Sequence, residues 1–308
     1  MNFLTCFFLI MASNFKLRNR QKAFTLMELL VVIAVIGLLS SIIFAITRGA
    51  NEQGRIAKGL YFSQHLHNSL GSYAAGIWSF DEGTGTLAND ISGWNNNGTL
   101  VNAPAWRCAT TDPSYTPSGQ GCSLEFNGST NYVDAGNGTS LNVSDAFTVE
   151  TWIKASSFLA HAGIVNKGAD ATANYALALG AATNKIRLYI GNGTTYQTAT
   201  EILINLNEWV HLVGVGSTIP TGTNLKLYVN GELKTSNDIT INITPSAATL
   251  RIGSRSGYNF NGLIDEARIY STTLTSAQIQ SQYYAGLQKL LAGGQINMQE
   301  YRDRLRKS

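Results

Sequence analysis

Two patterns of apolar residues divide the chain. Residues 29–46 form an uninterrupted run of eighteen positions without a charged side chain, which as a helix measures about 27 Å, close to the hydrocarbon core of a bilayer. From Ala74 onward the pattern changes to short segments in which apolar and polar residues alternate, separated by Gly, Asn, Ser and Thr. Alternation with a period of two is typical of strands with one buried face. The sequence therefore predicts a membrane helix followed by an all-β domain.

An acid, Glu28, stands at the N-terminal edge of the apolar run, and a basic stretch precedes it. An ionised carboxylate beside hydrocarbon is unfavourable unless a cation pairs with it. Cleavage of the chain after Ala23 would supply such a cation, because the new α-amino group of Phe24 would lie one helical turn from Glu28. Beyond the run, apolar residues continue at near-helical spacing as far as Leu70, so we expect residues 47–73 to continue the helix as an amphipathic segment or linker.

The segment KAFTLMELLVVIAVIG resembles the processing site and anchor helix of type IV prepilins and the related pseudopilins. The resemblance implies that a prepilin peptidase cuts between Ala23 and Phe24 and that the new amine of Phe24 is methylated. It also implies that Glu28 sets the register between pilin subunits in a filament. Ala23 stands where the family usually has Gly, which bears on the efficiency of cleavage.

Residues 1–23 form a basic leader. Translation could alternatively start at Met11. The leader carries four Lys or Arg and no acid, whereas the chain after it carries 18 Lys or Arg against 19 Asp or Glu. A basic segment ahead of an apolar one stays on the cytoplasmic side. We therefore expect one transmembrane anchor over residues 24–46 in the cytoplasmic membrane, with the C-terminal domain outside or on an extracellular pilus. The nearly neutral charge of the remaining chain indicates no nucleic-acid partner.

Two cysteines, Cys108 and Cys122, are left once the leader is removed. In an oxidising exterior they can form a disulfide, which would close a loop of about 15 residues and stabilise the fold by about 3 kcal/mol. The residues between them are rich in turn formers, which suits such a link. The alternative is two free buried thiols.

The alternating segments predict about a dozen strands in two packed antiparallel sheets. The clearest is a hairpin, LKLYV-NG-ELKTS, in which Asn230 and Gly231 suit the positive backbone angles of a tight turn. Similar alternation marks residues 147–155, 185–190, 208–215 and 262–270.

The stretches GIWSFDEGTG, FTVETWIKA, LKLYVNGEL and NGLIDEARIYSTTLTSAQI occur in this order between Gly76 and Tyr284. They resemble the laminin-G-like, concanavalin A-like jelly roll of bacterial surface proteins. The resemblance implies an N-terminal α-helix followed by an all-β antiparallel jelly-roll sandwich over residues 74–286, with a charged tail over residues 287–308. Thr275 with Gln278 three positions later forms a capping box, which predicts a short helix on the edge of the sandwich.

Asp265 lies in a predicted strand and has the same parity as Leu263, Ala267 and Ile269. We therefore expect it to point into the apolar face, where a bare carboxylate is unfavourable. It should consequently have a partner.

Jelly rolls of this type often hold a structural calcium between the first and last strands. The resemblance therefore implies a Ca²⁺ site made by Asp265 with Asp81 and Asp90. The alternative is an ion pair of Asp265 with Arg251 or Arg268, or hydrogen bonds to a turn.

The resemblance further implies a glycan or protein ligand that binds on a rim loop or on the concave sheet. The candidates are Trp94, Tyr196 and Tyr258, because an exposed aromatic ring stacks on a sugar face. The alternative for each is ordinary packing within a loop. The aromatic residues inside strand patterns are read as structural, namely Trp78, Trp152 and Trp209.

Three functions remain open from the sequence. The first is a pilin-like subunit that displays the sandwich for adhesion, and the size of the sandwich favours a minor or tip subunit over the main building block. The second is a pseudopilin of a type II secretion machine that contacts cargo. The third is an exported glycan-active enzyme, which we do not expect because Glu150 is the one acid in its strand pattern, and Asp265 and Glu266 alternate in theirs.

Overall fold

The computed structural model describes residues 26–40, 70–181, 184–199 and 202–307. The chain forms two compact units, Met1–Gly54 and Arg55–Ser308. The predictions for Ala23 and Phe24, for residues 41–46 of the anchor and for residues 47–69 lie outside the described residues.

In the first unit, residues 26–40 form a helix, α1. Its large apolar side chains are exposed, from 47% at Val32 to 80% at Leu26. Its one charged residue is Glu28, so the helix has no polar face, which is typical of helices that pack against other apolar groups on all sides. In the ranges given above, no helix has both the length and the apolar character needed to cross a membrane.

The second unit contains two sheets, which confirms the all-β prediction. The first sheet has eight strands: β1 (Ala74–Trp78), β4 (Ala105–Cys108), β5 (Cys122–Asn127), β7 (Ala146–Ala155), β13 (Val210–Ile219), β14 (Gly222–Val229), β15 (Glu232–Ile239) and β19 (Asn261–Tyr270). Their order is β15-β14-β13-β7-β19-β5-β4, and β1 pairs with the second half of β19. All of these pairings are antiparallel.

The second sheet has eleven short strands: β2 (Leu87–Ala88), β3 (Gly98–Val101), β6 (Tyr132–Asp134), β8 (Gly163–Lys167), β9 (Tyr175–Leu179), β10 (Lys185–Gly191), β11 (Tyr196–Thr198), β12 (Ile202–Leu203), β16 (Leu250–Ile252), β17 (Ser254–Arg255) and β18 (Tyr258–Asn259). The main order is β11-β10-β9-β8-β16-β6-β3-β2. The hairpin of β17 and β18 joins the sheet through a parallel contact of β18 with β8. This sheet order brings β10 and β17 close although they are far apart in sequence.

The predicted hairpin is confirmed in β14 and β15. Asn230 and Gly231 form its turn with φ values of 53° and 78°, and Asn and Gly tolerate this left-handed region best. On β14, Leu225 and Leu227 are fully buried in the core, as their alternation predicts.

The main core lies between the two sheets. Phe147 and Ile153 enter it from the first sheet, and Leu177 and Leu188 enter it from the second; all four are fully buried. Burial of each such side chain stabilises the fold by about 1.5–3 kcal/mol. At Gly214 of β13 the sheets approach so closely that a Cβ would lie 2.6 Å from Cδ1 of Leu188.

A β-bulge in β19 changes the face to which its side chains point. The pairing with β7 shifts register directly after Asp265, and Glu266 has a positive φ of 52°. Leu263 belongs to a cluster outside the sandwich, whereas Ala267 and Ile269 lie in the core. The prediction that Asp265 shares one face with all three is therefore wrong, because the bulge inserts an extra residue and reverses the alternation.

Two C-terminal helices cover the outer face of the eight-stranded sheet. Helix α2 (Ser276–Ala292) begins at the predicted capping box of Thr275 and Gln278, which is confirmed. Helix α3 (Met298–Lys307) follows it. Apolar side chains of both helices pack with Trp152 of β7 and with Trp209, which directly precedes β13. The buried set is Trp152, Trp209, Leu263, Tyr283, Leu287, Leu290, Ile296 and Tyr301. Helix α2 is thus longer than the short helix predicted from the sequence. The predicted boundary between the sandwich and the tail, at residue 286, falls inside it.

Candidate functional site

The outer face of the eleven-stranded sheet carries two buried polar side chains on β10. Ile186, Leu188 and Ile190 belong to the main core, so Arg187 and Tyr189 point to the opposite face because side chains alternate along a strand. Arg187 is 5% exposed and Tyr189 is fully buried. A guanidinium so far removed from water is unusual on the outside of a sheet.

Small residues on the neighbouring strands make room for these side chains. Ala178 of β9 is in register with Arg187, Ala176 is in register with Tyr189, and Gly163 of β8 is the next position across from Ala178. A Cβ at Gly163 would overlap the backbone of Ser254. The sheet therefore provides a flat floor on which long side chains lie.

A second arginine reaches the same place from β17. Nη1 of Arg255 donates to Oδ1 of Asp170 at 2.9 Å and to the hydroxyl oxygen of Tyr189 at 3.2 Å. Its guanidinium carbon lies 5.8 Å from the centre of the Tyr189 ring, and that of Arg187 lies 4.9 Å from it. Two guanidinium groups therefore share one aromatic ring, an arrangement favoured by the quadrupole of the ring.

Two of the predicted ligand-binding aromatics flank these arginines. Tyr196 of β11 is 42% exposed, and its ring centre lies 5.9 Å from the guanidinium carbon of Arg187. Tyr258 of β18 is 50% exposed, and its ring centre lies 5.2 Å from the guanidinium carbon of Arg255. We call the set of Arg187, Tyr189, Tyr196, Arg255 and Tyr258 the arginine–tyrosine face.

The third predicted aromatic, Trp94, is also exposed, at 56%. It lies in the loop between β2 and β3, at the opposite end of the sheet order from β10 and β11. The structure therefore brings Tyr196 and Tyr258 to one face and leaves Trp94 away from them. Trp78, Trp152 and Trp209 are buried, as predicted.

The arginine–tyrosine face contains polar atoms that have no partner among the residues that the structure describes. Nε of Arg187 and Nε of Arg255 are both buried and make no hydrogen bond. One further atom of this kind on the same face is Oδ1 of Asn166 on β8, which lies across Ala176 from Tyr189. Of the ten such side-chain atoms in the described ranges, three thus lie on this face. Buried donors and acceptors are nearly always paired in native proteins, so this concentration indicates a place for a ligand or water.

The neighbouring titratable groups leave this face positively charged. Nη2 of Arg187 lies 3.2 Å from Nδ1 of His161, and because a guanidinium only donates, that nitrogen must accept and carries no proton. Burial raises the pKa of Tyr189, which keeps its hydroxyl neutral. Asp170, whose side chain is 54% exposed, pairs with Arg255. Among the described residues, two cations thus face one acid.

Arg187, Tyr189 and Arg255 are not among the site residues predicted from the sequence. The alternation of KIRLYI already indicates that Arg187 and Tyr189 share the face opposite the isoleucines. The contribution of Arg255 depends on the order of the strands.

The carboxylate of Asp90, one of the three predicted calcium ligands, accepts hydrogen bonds from backbone N–H groups. Its Oδ1 accepts from the backbone N–H groups of Ile77 and Ser92, each at 2.9 Å, and its Oδ2 accepts from that of Asn96 at 2.9 Å. Three backbone donors therefore occupy the carboxylate and fix the loop that carries Trp94.

Asp81 and Asp265 lie near each other beside the first and last strands. Burial, together with the negative charges of Glu266 and Asp81, raises the pKa of Asp265 well above its ordinary value. Burial also raises the pKa of Asp81, although the N–H of Cys122 donates to its Oδ1 at 3.1 Å. Within the described ranges no three His, Cys, Asp or Glu residues are grouped so that they could hold a metal. Calcium binding stays a prediction.

The side chain of Asp265 accepts a hydrogen bond from the backbone of the β-bulge. Its Oδ1 accepts from the N–H of Glu266 at 2.8 Å. The two arginines considered as alternative partners pair with other acids, Arg251 with Asp134 and Arg268 with Glu266.

Glu150 and His211 form a buried pair on the outer side of the eight-stranded sheet. Nε2 of His211 lies 2.9 Å from Oε1 of Glu150, and Nη1 of Arg268 lies 3.8 Å from the same oxygen. Glu150 is 2% exposed, and the ring of Tyr283 from α2 stacks on His211. The helix therefore covers this carboxylate.

The predicted disulfide is present. Cys108 of β4 and Cys122 of β5 are bonded across paired positions of the two strands. The disulfide therefore fixes an edge of the eight-stranded sheet, and the alternative of two free thiols is excluded.

Two family models match the chain. One, described as a concanavalin A-like lectin/glucanases superfamily, matches residues 127–280. The other, described as a prokaryotic N-terminal methylation motif, matches residues 18–44. No curated protein matches.

Solved structures share the fold at low identity. Domain 4 of AbnA, an extracellular arabinanase of Geobacillus stearothermophilus solved in complex with arabinotriose, is 22% identical, with a TM-score of 0.53 over 68% of this chain and 97% of that one. A botulinum neurotoxin type C structure, from work on cell entry through two ganglioside molecules, is 15% identical, with a TM-score of 0.54 over 71% of this chain and 53% of that one. The binding domain of Paraclostridial Mosquitocidal Protein 1 is 14% identical, with a TM-score of 0.53 over 71% and 53%. The likeness spans about half of the two toxin chains and shows the fold alone.

These matches confirm both resemblances, the methylation motif with its helix and the lectin-like jelly roll. The superfamily model spans 154 of the chain's 308 residues. The chain therefore belongs to the concanavalin A-like lectin/glucanase superfamily, with a prokaryotic N-terminal methylation motif ahead of its sandwich.

Proposed function

We propose that the protein is a pilin-like surface subunit whose sandwich binds a glycan through the arginine–tyrosine face. Prepilin peptidase cuts it between Ala23 and Phe24, the anchor holds it in the cytoplasmic membrane, and the same helix enters a filament with other pilin subunits. The sandwich is outside the membrane, where it serves in adhesion as a minor or tip subunit.

The methylation motif and the structure of α1 support the assembly role. The helix exposes apolar side chains on all sides, and such a surface needs lipid or neighbouring helices to cover it. The disulfide Cys108–Cys122 supports export, because disulfides persist in oxidising compartments.

One observation carries the binding role: two exposed tyrosines flank buried arginines that have unpaired N–H groups. Sugar rings stack on exposed aromatic faces, while polar groups beside the ring bind hydroxyls or charged substituents. Tyr196 and Tyr258 come from separate strands and are each held by an arginine, so both are already oriented before a ligand arrives.

We further propose that the protein is not a hydrolase. Glycoside hydrolysis uses two carboxyl groups that reach the scissile bond from a solvent-accessible cleft. Glu150 is buried under α2 and paired with His211, and Asp265 is 4% exposed. Turnover of a polysaccharide that is lost in a Glu150→Gln or Asp265→Asn variant would contradict this proposal.

The experiment is a binding assay of the full-length protein, purified in detergent, against a panel of polysaccharides. Replacement of Tyr196 and Tyr258 together by Ala should weaken binding about three- to tenfold per ring, the range expected for lost aromatic contacts. Tyr73→Ala removes a ring of similar exposure, 49%, and should leave binding unchanged. Unchanged binding in the double variant would contradict the assignment of this face.

Cell fractionation distinguishes adhesion from the alternative, a pseudopilin of a type II secretion machine. Recovery of the protein in sheared surface fibres supports the pilin-like role. Its retention in the membrane fraction with secretion components would favour the pseudopilin.

A further inference from the structure

We infer that the ligand of the arginine–tyrosine face is an acidic glycan, in which a carboxylate or sulfate on the sugar binds the guanidinium groups of Arg187 and Arg255. This inference rests on the proposed function, that this face binds a glycan.

In the described ranges, Arg187 differs from the other arginines on strands because no acid lies opposite it. The other arginines on strands each have a carboxylate partner: Arg107 with Glu125, Arg251 with Asp134, Arg255 with Asp170, and Arg268 with Glu266. Arg187 has no such partner among the residues that the structure describes, and its one hydrogen bond is to the neutral ring of His161. A buried guanidinium without a counter-charge is unfavourable, and an anion from outside would relieve this.

Both arginines have N–H donors to which no described residue offers an acceptor. Each arginine has five N–H donors, yet the Nε–H groups of Arg187 and Arg255 make no hydrogen bond to any residue in the described ranges. Both side chains are at least 95% buried, so solvent does not satisfy these groups freely. Carboxylate and sulfate oxygens match the planar fork of a guanidinium and accept two parallel hydrogen bonds from it.

Tyrosine rings hold both guanidinium groups in place before a ligand binds. Arg187 lies between the rings of Tyr189 and Tyr196, at 4.9 and 5.9 Å, and Arg255 lies between Tyr189 and Tyr258, at 5.8 and 5.2 Å. Neither guanidinium has to be ordered when the ligand binds, which favours affinity.

The exposed tyrosine rings favour a sugar over an acidic peptide as the ligand. The flanking rings of Tyr196 and Tyr258 are about half exposed, and each offers a flat apolar surface beside the cations. A uronic acid or a sulfated sugar presents an apolar ring face and an anion in one unit, and so matches both features.

The test uses polysaccharide pairs that differ in charge: galactan with polygalacturonate, and dextran with dextran sulfate, together with polyglutamate. Binding to the full-length protein in detergent is measured at low and high salt. We expect the acidic member of each pair to bind at least about tenfold more tightly. Its affinity should fall with salt, because the charges along the polysaccharide are exposed and salt screens their attraction to the face. Arg187→Gln should lose about tenfold for the acidic members, since one charge-assisted contact is removed.

Two variants control for folding and for net charge. Arg107→Gln removes the same formal charge from an arginine that also lies over a tyrosine, Tyr115, but on the other sheet, and it should bind as the wild type does. Arg187→Lys keeps the charge and loses the planar fork, so it should bind acidic glycans more weakly than the wild type but keep the salt dependence. Thermal melting of each variant shows whether it is folded.

The outcomes separate the two proposals. Equal binding of neutral and acidic members, unaffected by Arg187→Gln, would overturn this inference and leave the glycan-binding function intact. Binding to no polysaccharide would overturn both. Tighter binding of polyglutamate than of any glycan would replace the acidic glycan by an acidic protein partner. Dextran sulfate binding that Arg187→Gln does not change would also count against the inference, because it would arise elsewhere.

Discussion

The guanidinium carbon of Arg187 lies 4.9 Å from the centre of the Tyr189 ring. The same ring carries Arg255 at 5.8 Å, and its hydroxyl oxygen accepts from Arg255. Tyr189 thus holds both cations of the arginine–tyrosine face in one layer above the sheet. Because the ring is fully buried, its contribution can be measured through the stability of the fold.

Substitution of Tyr189 should therefore separate the hydroxyl from the ring. Tyr189→Phe removes one hydrogen-bond acceptor and should lower the free energy of unfolding by about 1 kcal/mol. Tyr189→Leu removes the ring between the two cations and should lower it by about 2–4 kcal/mol. Denaturant unfolding followed by tryptophan fluorescence gives both values. Equal values for the two variants would mean that the ring contributes nothing beyond its hydroxyl.

The raised pKa of Asp265 predicts a dependence of stability on pH. The folded state holds its proton at pH values where the unfolded chain has released it, so stability is greatest below the ordinary pKa and falls as pH rises through the raised pKa. Asp265→Asn keeps an acceptor for the N–H of Glu266 and removes the charge. It should raise the melting temperature at pH 7 and flatten its pH dependence.

The control for this experiment is Asp145→Asn, which changes an exposed acid. It should leave the pH dependence as in the wild type. Melting with and without added Ca²⁺ also tests the predicted calcium site, because a calcium effect that disappears in Asp265→Asn would place the ion there. A lower melting temperature of Asp265→Asn at pH 7 would contradict the pH prediction.

The disulfide gives a third prediction. Cys108 and Cys122 are separated by 14 positions, and a loop of this length restricts the unfolded chain by about 3 kcal/mol. Replacement of both by Ser should lower the free energy of unfolding by this amount and should leave polysaccharide binding unchanged, since the bond lies in the other sheet. Wild-type stability of the double variant would show that the cross-link does not restrict the unfolded state.

Assembly gives a fourth prediction, which concerns Glu28. Glu28→Leu should insert into the membrane but assemble poorly, because it lacks the acid that we expect to pair with the amine of Phe24. The neighbouring variant Met27→Leu keeps the charge pattern and should assemble normally. Immunoblots of sheared fibres and membranes compare the two, and wild-type levels of filament in Glu28→Leu would rule out this role of the acid.

Much of the fold can be predicted from local signals. Alternation fixes the strands around residues 147–155 and 225–229, the Asn230–Gly231 turn requires positive φ values, and Thr275 with Gln278 marks the start of α2. The bulge in β19 could not be predicted in this way. It depends on Glu266, a residue type that rarely has a positive φ, and it defeats the parity argument for Asp265.

The candidate site is predictable only in part. Exposure of Tyr196 and Tyr258 follows from their positions near turns, and Arg187 with Tyr189 is visible in the alternation of one strand. Their meeting with Arg255 depends on the pairing of β18 with β8 and of β9 with β10. The pairing of β18 with β8 joins segments far apart in sequence, and no local pattern encodes it.

A structure of the full-length protein with a bound acidic oligosaccharide, such as an oligogalacturonate, would show whether the arginine–tyrosine face binds acidic glycans. We expect a carboxylate oxygen within hydrogen-bond distance, about 2.7–2.9 Å, of the guanidinium of Arg187 or Arg255, with a sugar ring against Tyr196 or Tyr258. An oligosaccharide bound at the Trp94 loop, with the arginine–tyrosine face empty, would contradict this expectation.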